Sequence, residues 1–193
     1  MKNYTDEQLI KLAVKKDKNA LETLVARYLK AVYGFTYQYA RNREDAEDIT
    51  QEIFIKVWKN LNKFKDNKKF RPWLYEIAKN TSLDFLKKKN PIPFSYLDSA
   101  AGDNSEKLDN IIKNTVAAPV VMIEQSFLIN KLSLAIKILS PKYAEIISLY
   151  HKQELNFREI AEINGESINT VKSRYRRALL LVKKIISEAG IKI

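Results

Sequence analysis

The amino-acid sequence predicts an all-α protein, built from two small helical domains that a flexible acidic linker joins. Glycine and proline are scarce, with 4 and 5 copies in 193 residues, and three of the prolines, Pro91, Pro93 and Pro119, fall in one stretch. The long stretches on either side are therefore almost free of helix breakers. In both, apolar residues recur at helical spacing, and 46% hydrophobic residues can supply real cores.

The first domain, residues 1–90, carries signals for four helices. Thr5 and Asn42 are suited to cap helices, and Pro72 is suited to a first helical turn. Apolar residues from Leu21 to Phe35 recur with the helical period. The four helices are predicted over about 5–16, 21–40, 42–61 and 72–89.

Residues 91–124 change character, because prolines, small residues and acids replace the helical pattern. Acidic side chains outnumber basic ones here, whereas basic side chains are in excess in residues 1–90 and 125–193. Such a composition cannot bury much apolar surface, and it predicts a linker able to span tens of ångströms. The two domains are therefore expected to move independently.

The second domain, residues 125–193, is predicted to contain a helix-turn-helix unit. Two helices come first, one to about Leu139 and one that Ser140 caps through about Tyr150. Asn156, with Glu159 three residues on, then starts a short helix, and a tight turn at 164–166 follows. Ser167 can cap a long last helix, so the spacing is that of a helix-turn-helix.

The overall charge and the residues that are scarce narrow the classes of function. A formal net charge of +11 favours a polyanionic partner, although solubility alone could also explain it. The chain has no cysteine and one histidine, His151, so disulfides, thiolate metal sites and imidazole catalysis are not expected. No long apolar run or signal peptide is present, which predicts a cytoplasmic protein without membrane insertion.

The third predicted helix has an acidic side. Asp45, Asp48 and Glu52 follow one another at i, i+3 and i+7, opposite an apolar side that includes Ile49 and Ile53. The acids are suited to a basic protein partner, but acids in a first turn equally complement the helix dipole. A third hypothesis makes them magnesium ligands of a nuclease, yet no second acidic cluster or phosphate loop is present. No enzyme, metal or cofactor is therefore expected.

A loop rich in lysine and aromatic residues precedes the fourth helix. Phe64, Phe70 and Trp73 surround the run from Lys63 to Lys69, and aromatic rings among cations suit unpaired bases. Some of these rings could equally belong to the core, and Phe64 and Phe70 stay open on this point. On the helix itself, Trp73 and Asn80 lie away from the apolar stripe.

The last helix separates an inward apolar stripe from a basic face near its N-terminus. The basic face is suited to a DNA major groove, since arginine can read guanine with two hydrogen bonds. A solvated basic surface with no partner would show the same pattern. The face consists of Asn169, Lys172, Ser173, Arg176 and Arg177, and the stripe of Val171, Tyr175, Ala178, Val182 and Ile185.

Three segments, beginning at Asp45, Phe70 and Leu155, resemble in order the signature segments of extracytoplasmic-function sigma factors of bacterial RNA polymerase: DAEDITQEIFIKVWKNL, FRPWLYEIAKNTSLDFL and LNFREIAEINGESINTVKSRYRRAL. The resemblance implies a sigma-2-like first domain and a sigma-4-like second domain. It implies that Asp48, Gln51 and Glu52 dock on the coiled coil of the polymerase β′ subunit. Asp45 is added to this set only because it lies on the same face of the helix.

The resemblance also implies two DNA-binding surfaces. The first captures a flipped base of the minus-10 element and faces melted promoter, matching Lys63, Phe64, Lys65, Lys68, Lys69, Phe70, Trp73 and Asn80. The second reads the minus-35 duplex through Thr170, Lys172, Ser173, Arg174, Arg176 and Arg177. Asn169 is added to this surface because it lies on the basic face of the same helix. Linker acids such as Asp98, Asp103, Glu106 and Asp109 could imitate nucleic acid in the active-site channel, or could simply keep the linker soluble.

The expected function is promoter-directed transcription initiation, with core RNA polymerase (β′ and β subunits), promoter DNA and an anti-sigma factor as partners. The alternative is a free-standing helix-turn-helix regulator of transcription. A simple repressor of that kind would have no need of the first domain, because an aromatic loop suits unpaired bases better than a groove.

Overall fold

The protein is helical throughout the residues that the computed structural model describes, which are 3–64, 68–89 and 124–188. Within these ranges no strand occurs, which confirms the all-α fold. The eight α-helices described are α1 (Asp6–Val14), α2 (Lys18–Ala40), α3 (Arg43–Asn60), α4 (Phe70–Lys89), α5 (Glu124–Ile138), α6 (Pro141–Ile147), α7 (Phe157–Asn164) and α8 (Ile168–Glu188). The linker 91–123 and its acids lie outside the described residues, as does Lys65.

Side-chain caps fix most of the helix starts that the sequence indicates. Thr5 and Asn156 each form a reciprocal capping box with the residue three positions later, and Asn42 accepts from the Asp45 N–H. Ser167 accepts from the Thr170 N–H at 3.1 Å. Ser140 behaves differently, because its hydroxyl makes no capping bond and α6 starts on Pro141 instead.

Three predicted helix boundaries differ from the structure. The first helix ends at Val14 because Lys16 takes a left-handed conformation, with φ of 68°. The second begins at Lys18, three residues before Leu21, because Asp17 caps it. The fourth begins at Phe70, so Pro72 lies in its first turn as predicted. The predicted helix to Tyr150 ends at Ile147 and continues as a π-helical turn over Ser148–Lys152, a local widening that periodicity does not indicate.

The first lobe, α1–α4, is organised around α4. One face of α4 packs between α2 and α3, and Leu74 and Tyr75 are fully buried there. The Tyr75 ring meets Phe35 of α2 edge to face at 5.2 Å between centroids, and Ile49 and Ile53 close the core from α3. Burial of these large side chains supplies most of the stability of the lobe.

The second lobe, α5–α8, has a small core of its own at one end. Ala135 of α5 and Leu139, which follows that helix, pack there against Ala178 and Val182 of α8, together with Ile147 of α6. Val171, near the start of α8, is buried instead in the same cluster as the first-lobe core. The two lobes therefore share apolar contacts.

Polar contacts also join the two lobes. The Tyr39 hydroxyl of α2 donates to Glu145 of α6 at 2.5 Å, and α4 packs against α7. The Arg41 guanidinium donates to two carbonyl oxygens at the end of α5, those of Lys137 and Leu139. The independence expected of the lobes is thus absent in this conformation, which is held by contacts between residues about a hundred positions apart in the chain.

A matched pair of substitutions on α3 tests this core. Ile49 is fully buried, whereas Ile55 is 51% exposed on the same helix. Ile49→Ala is expected to lower the free energy of unfolding by about 2–5 kcal/mol because it leaves a cavity. Ile55→Ala, with the same change in helix propensity, is expected to shift it by at most about 0.5 kcal/mol. Urea denaturation measures both, and equal losses would contradict the assignment of the core face.

Candidate functional site

The outer face of α3 carries acidic and amide side chains towards solvent. Asp48 and Gln51 are exposed, and Glu52 is half-buried with its carboxylate 2.8 Å from the Lys56 ammonium. The opposite face, including Ile49, is buried in the core, so packing fixes the direction in which the acids point. The structure therefore brings these three predicted docking residues together.

Asp45 has a different setting from the other members of the acidic side. Its carboxylate accepts hydrogen bonds from the Lys89 ammonium and from the Asn42 amide, and these bonds hold its pKa below the usual value. Through them it ties the start of α3 to the end of α4. Asp45 thus stabilises the contact between these two helix ends, and its charge is already paired with Lys89.

Two large apolar residues extend the same face and were not foreseen from the sequence. Ile55 and Trp58 follow Asp48 and Gln51 at helical spacing, and they are 51% and 44% exposed. Exposed aromatic and aliphatic side chains beside charges are typical of protein interfaces. The signal was present in the sequence, because Ile55 and Trp58 lie seven positions after Asp48 and Gln51, but only the structure shows that the core leaves them uncovered.

The rings around the lysine-rich loop form one cluster. Phe64 and Trp73 are 5.2 Å apart between centroids, and Phe70 lies 5.8 Å from Trp73. Phe70 is only 2% exposed and meets Tyr28 edge to face, so it belongs to the core. Phe70 is therefore a core residue in this conformation: it anchors the loop and offers no ring face to a base. Phe64 and Trp73 stay half-exposed.

The described cations of the loop differ in their partners. Lys63 and Lys68 are exposed, while the Lys69 ammonium lies 2.8 Å from the Glu159 carboxylate of α7. Asn80 is exposed on α4, two turns from Trp73 and on the same side. Trp73, Asn80 and the loop lysines therefore form a surface that is polar, basic and partly aromatic.

The helix-turn-helix consists of α7, a tight turn and α8. Gly165 closes α7 in the left-handed conformation, with φ of 63°, which glycine adopts without strain. Val171, Ala178, Val182 and Ile185 are buried as predicted. The predicted DNA-facing residues Asn169, Thr170, Lys172, Ser173, Arg176 and Arg177 are all exposed.

Two residues of α8 depart from the predicted arrangement. Arg174 is turned away from the basic face, and its guanidinium pairs with the Glu166 carboxylate at 2.6 Å, with only 22% of the side chain exposed. Tyr175 lies in a partly exposed aromatic cluster, 4.9 Å from Tyr150 and 5.3 Å from Phe157 between ring centroids. The residue types gave no sign of either contact, because the partners lie outside α8: Glu166 in the turn, Tyr150 in the π-helical segment and Phe157 in α7.

The described part of the chain offers no cluster of three or more His, Cys, Asp or Glu side chains that could hold a metal ion. Nor does any helix among these residues have the length and apolar character needed to cross a lipid bilayer.

Family models match both lobes. Residues 24–92 match Sigma-70 region 2, and residues 129–182 match Sigma-70 region 4. The chain is 33% identical over 177 residues to the ECF RNA polymerase sigma factor SigW of Bacillus subtilis, covering 91% of this chain and 93% of that protein. It is 31% identical over 176 residues to the ECF RNA polymerase sigma-E factor of Escherichia coli K12, covering 90% of each.

Solved structures share the fold. CnrH in complex with the cytosolic domain of CnrY superposes with a TM-score of 0.64 at 19% identity, covering 95% of this chain and 97% of that one. The sigma factor RpoE of Bartonella quintana, in complex with the anti-sigma factor NepR, gives 0.62 at 20% identity over 86% of this chain and 96% of that one. With the two region matches and the close relatives, the conclusion is that the chain belongs to the extracytoplasmic-function sigma factors, which direct RNA polymerase to promoters.

Proposed function

We propose that the chain acts through three separate surfaces: the outer face of α3 docks on core polymerase, the loop and α4 bind minus-10 DNA, and the start of α8 binds the minus-35 duplex. The observation that carries the proposal is the exposure of all three on one helical scaffold whose opposite faces form the core. The protein itself performs no chemistry in this scheme, and the polymerase supplies the catalysis in the cytoplasm.

The α3 face has the chemistry of a docking site for a basic coiled coil. Asp48 and Glu52 provide negative charge, and Gln51 can accept and donate hydrogen bonds. Ile55 and Trp58 add apolar area next to them, which a helical partner can bury. Charge would then set orientation and association rate, while the apolar pair contributes to affinity. The β′ coiled coil is the proposed partner, with further contacts to the β subunit.

The loop surface fits unpaired bases of the minus-10 element. Phe64 and Trp73 have partly exposed rings that can stack on a base, and Lys63 and Lys68 can neutralise the backbone. Asn80 can read a base edge through its amide group. Lys65 belongs to the same proposal but lies outside the described residues, and Lys69 joins the surface only when it leaves Glu159.

The exposed start of α8 fits a major groove. Lys172 and Ser173 are exposed on one turn of α8 and Arg176 on the next, and these three are the proposed base contacts. The proposed backbone contacts are Asn169, Thr170 and Arg177. The Arg174–Glu166 ion pair would have to break before that guanidinium could reach DNA, so Arg174 is assigned a positioning role while the pair is intact.

The proposal also includes a regulatory partner and a role for the linker. The structure of RpoE contains the anti-sigma factor NepR, and an anti-sigma factor that covers both lobes is the regulator proposed for this chain. The acids of the linker are proposed to imitate nucleic acid near the polymerase active site.

The alternative function is that of a free-standing helix-turn-helix regulator. Run-off transcription with core polymerase distinguishes the two functions, because such a regulator binds duplex DNA but starts no transcript.

Asp48→Asn tests the docking face. The substitution removes one charge without changing side-chain size, and we expect core-polymerase affinity to fall roughly ten- to a hundredfold, because a charge-assisted contact contributes about 1.5–3 kcal/mol. Glu22→Gln is the control, since Glu22 is an exposed acid of α2 that lies outside the proposed docking face and pairs with Lys18. Fluorescence anisotropy with labelled protein measures both affinities. Equal affinities for Asp48→Asn and the native protein would reject the role of Asp48.

Arg176→Ala tests minus-35 recognition. If Arg176 contacts a base, binding to the minus-35 duplex weakens by about 1–3 kcal/mol, while binding to a scrambled duplex changes less. Lys184→Ala is the control, because it removes the same charge from an exposed site on α8 about 12 Å further along the helix. The measurement is a pair of gel-shift titrations at fixed salt. A uniform loss on both duplexes would assign Arg176 to phosphate, and no loss would remove it from the surface.

A further inference from the structure

The turn of the helix-turn-helix carries the one Asn-Gly pair in the sequence, Asn164-Gly165. In such a pair the backbone nitrogen of the glycine can attack the side-chain amide carbon of the asparagine, because glycine has no side chain to hinder ring closure. The attack releases the amide nitrogen and turns the asparagine into an acid. Neither Asn164 nor Gly165 belongs to the surfaces proposed to bind polymerase or DNA.

The side-chain amide of Asn164 is held at its oxygen alone. Its Oδ1 accepts from the Lys79 ammonium at 2.8 Å, while its Nδ2 is buried with no hydrogen-bond partner among the described residues. A buried donor that makes no hydrogen bond costs free energy. A carboxylate at the same position would have no such donor and would meet the Lys79 ammonium as an ion pair. The surroundings of the side chain therefore suit an acid better than the amide that is there.

The backbone of the pair, by contrast, is held in a geometry that prevents the attack. The Gly165 N–H donates to the Glu162 carbonyl oxygen at 3.2 Å, and the Glu166 N–H donates to the Ala161 carbonyl oxygen at 3.0 Å. These two bonds, around a glycine in the left-handed conformation, form a Schellman motif. The glycine nitrogen is engaged in that motif and cannot approach the amide carbon. Reaction therefore requires the last turn of α7 to open.

That turn can open locally, without unfolding of the lobe. Gly165 is exposed, and a Cβ at this position would point into open space, so solvent reaches the peptide bond. Ile163, one residue before Asn164, is only 6% exposed and keeps α7 anchored in the core. Helix ends open far more often than buried helix centres, because few contacts have to be broken. The reactive geometry is thus reached by fraying of a few residues.

We propose that Asn164 is a site of slow deamidation, which the end of α7 restrains and which converts the residue to aspartate or isoaspartate. The Gly165 nitrogen loses its proton to a solvent base and forms a bond to Cγ of Asn164. The Cγ–Nδ2 bond breaks, and the nitrogen leaves as ammonia after taking a proton from solvent. Water then opens the cyclic imide at one of its two carbonyl carbons, giving aspartate or isoaspartate. The net reaction consumes one water and releases one ammonia.

The two products differ in what they do to the turn. Aspartate keeps the main chain as it is, and its charge is paired with Lys79 as it forms. Isoaspartate adds one carbon to the main chain, so the turn cannot keep both bonds of the Schellman motif. Because this turn sets the direction of α8, isoaspartate should weaken minus-35 binding. This consequence rests on the proposed function, whereas the chemistry of Asn164 does not.

Peptide mass spectrometry of the full chain, aged at mildly alkaline pH, tests the chemistry. Native protein and protein in guanidinium chloride are compared, and conversion of Asn164 is followed by the mass gained when an amide becomes an acid. We expect conversion in both, roughly ten- to a hundredfold slower in the native protein because the helix end must first open. Asn169, exposed and followed by a threonine whose branched side chain hinders ring closure, is the internal control and should react far more slowly.

Two results would contradict the proposal. If Asn164 of the native protein stays intact for more than about a hundred half-times of the reaction in guanidinium chloride, the folded chain has no such site. If it converts equally fast in both samples, the end of α7 does not restrain the reaction.

Titration of a minus-35 duplex with fresh and aged protein tests the consequence. Asn164→Gln is the matched variant, because its longer side chain closes a ring much less readily, and Asn164→Asp supplies the aspartate product directly. We expect the isoaspartate fraction to bind roughly tenfold more weakly, as for the loss of one base contact. Aged Asn164→Gln and fresh Asn164→Asp should bind within about threefold of the fresh native protein.

Equal affinities of the isoaspartate fraction and the fresh protein would reject the effect on the turn. Fresh native protein that does not bind the minus-35 duplex at all would instead reject the proposed function, and the mass spectra would still decide the chemistry of Asn164.

Discussion

Burial of one side of α4 is the constraint on which the rest of the structure depends. Leu74, Tyr75 and Ala78 are fully buried between α2 and α3, and this packing fixes the rotation of α4 about its own axis. That rotation directs Trp73 and Asn80 to solvent and presents Lys79 to the second lobe. The same helix thus sets both the proposed nucleic-acid surface and the position of the neighbouring lobe.

Much of the fold could be predicted because it is local. Helical periodicity and the capping residues Thr5, Asn42 and Asn156 gave the helices of both lobes, since a cap depends on a side chain two or three positions away. The inward stripe of α8 followed in the same way. The errors at Lys16 and Tyr150 lie where one residue's backbone, a positive φ or a π-helical turn, departs from the repeat.

Residues whose setting depends on tertiary packing, rather than on the helical repeat, could not be predicted. Arg174 has the right type and position for DNA, yet a partner across the turn engages it. Phe70 was ambiguous because its burial is decided by Tyr28, more than forty positions earlier. Trp58 was overlooked because an apolar residue on a helix is ordinarily assigned to the core, and only packing shows otherwise.

Glu159 uses its two carboxylate oxygens for different purposes. One accepts from the Asn156 N–H and so starts α7, and the other accepts from Lys69 of the first lobe. Because the helix start does not depend on the oxygen that faces Lys69, separation of the lobes leaves the first turn of α7 intact. The helix-turn-helix can therefore move as a rigid body that is already folded. It does not lose further conformational entropy by folding when it binds DNA.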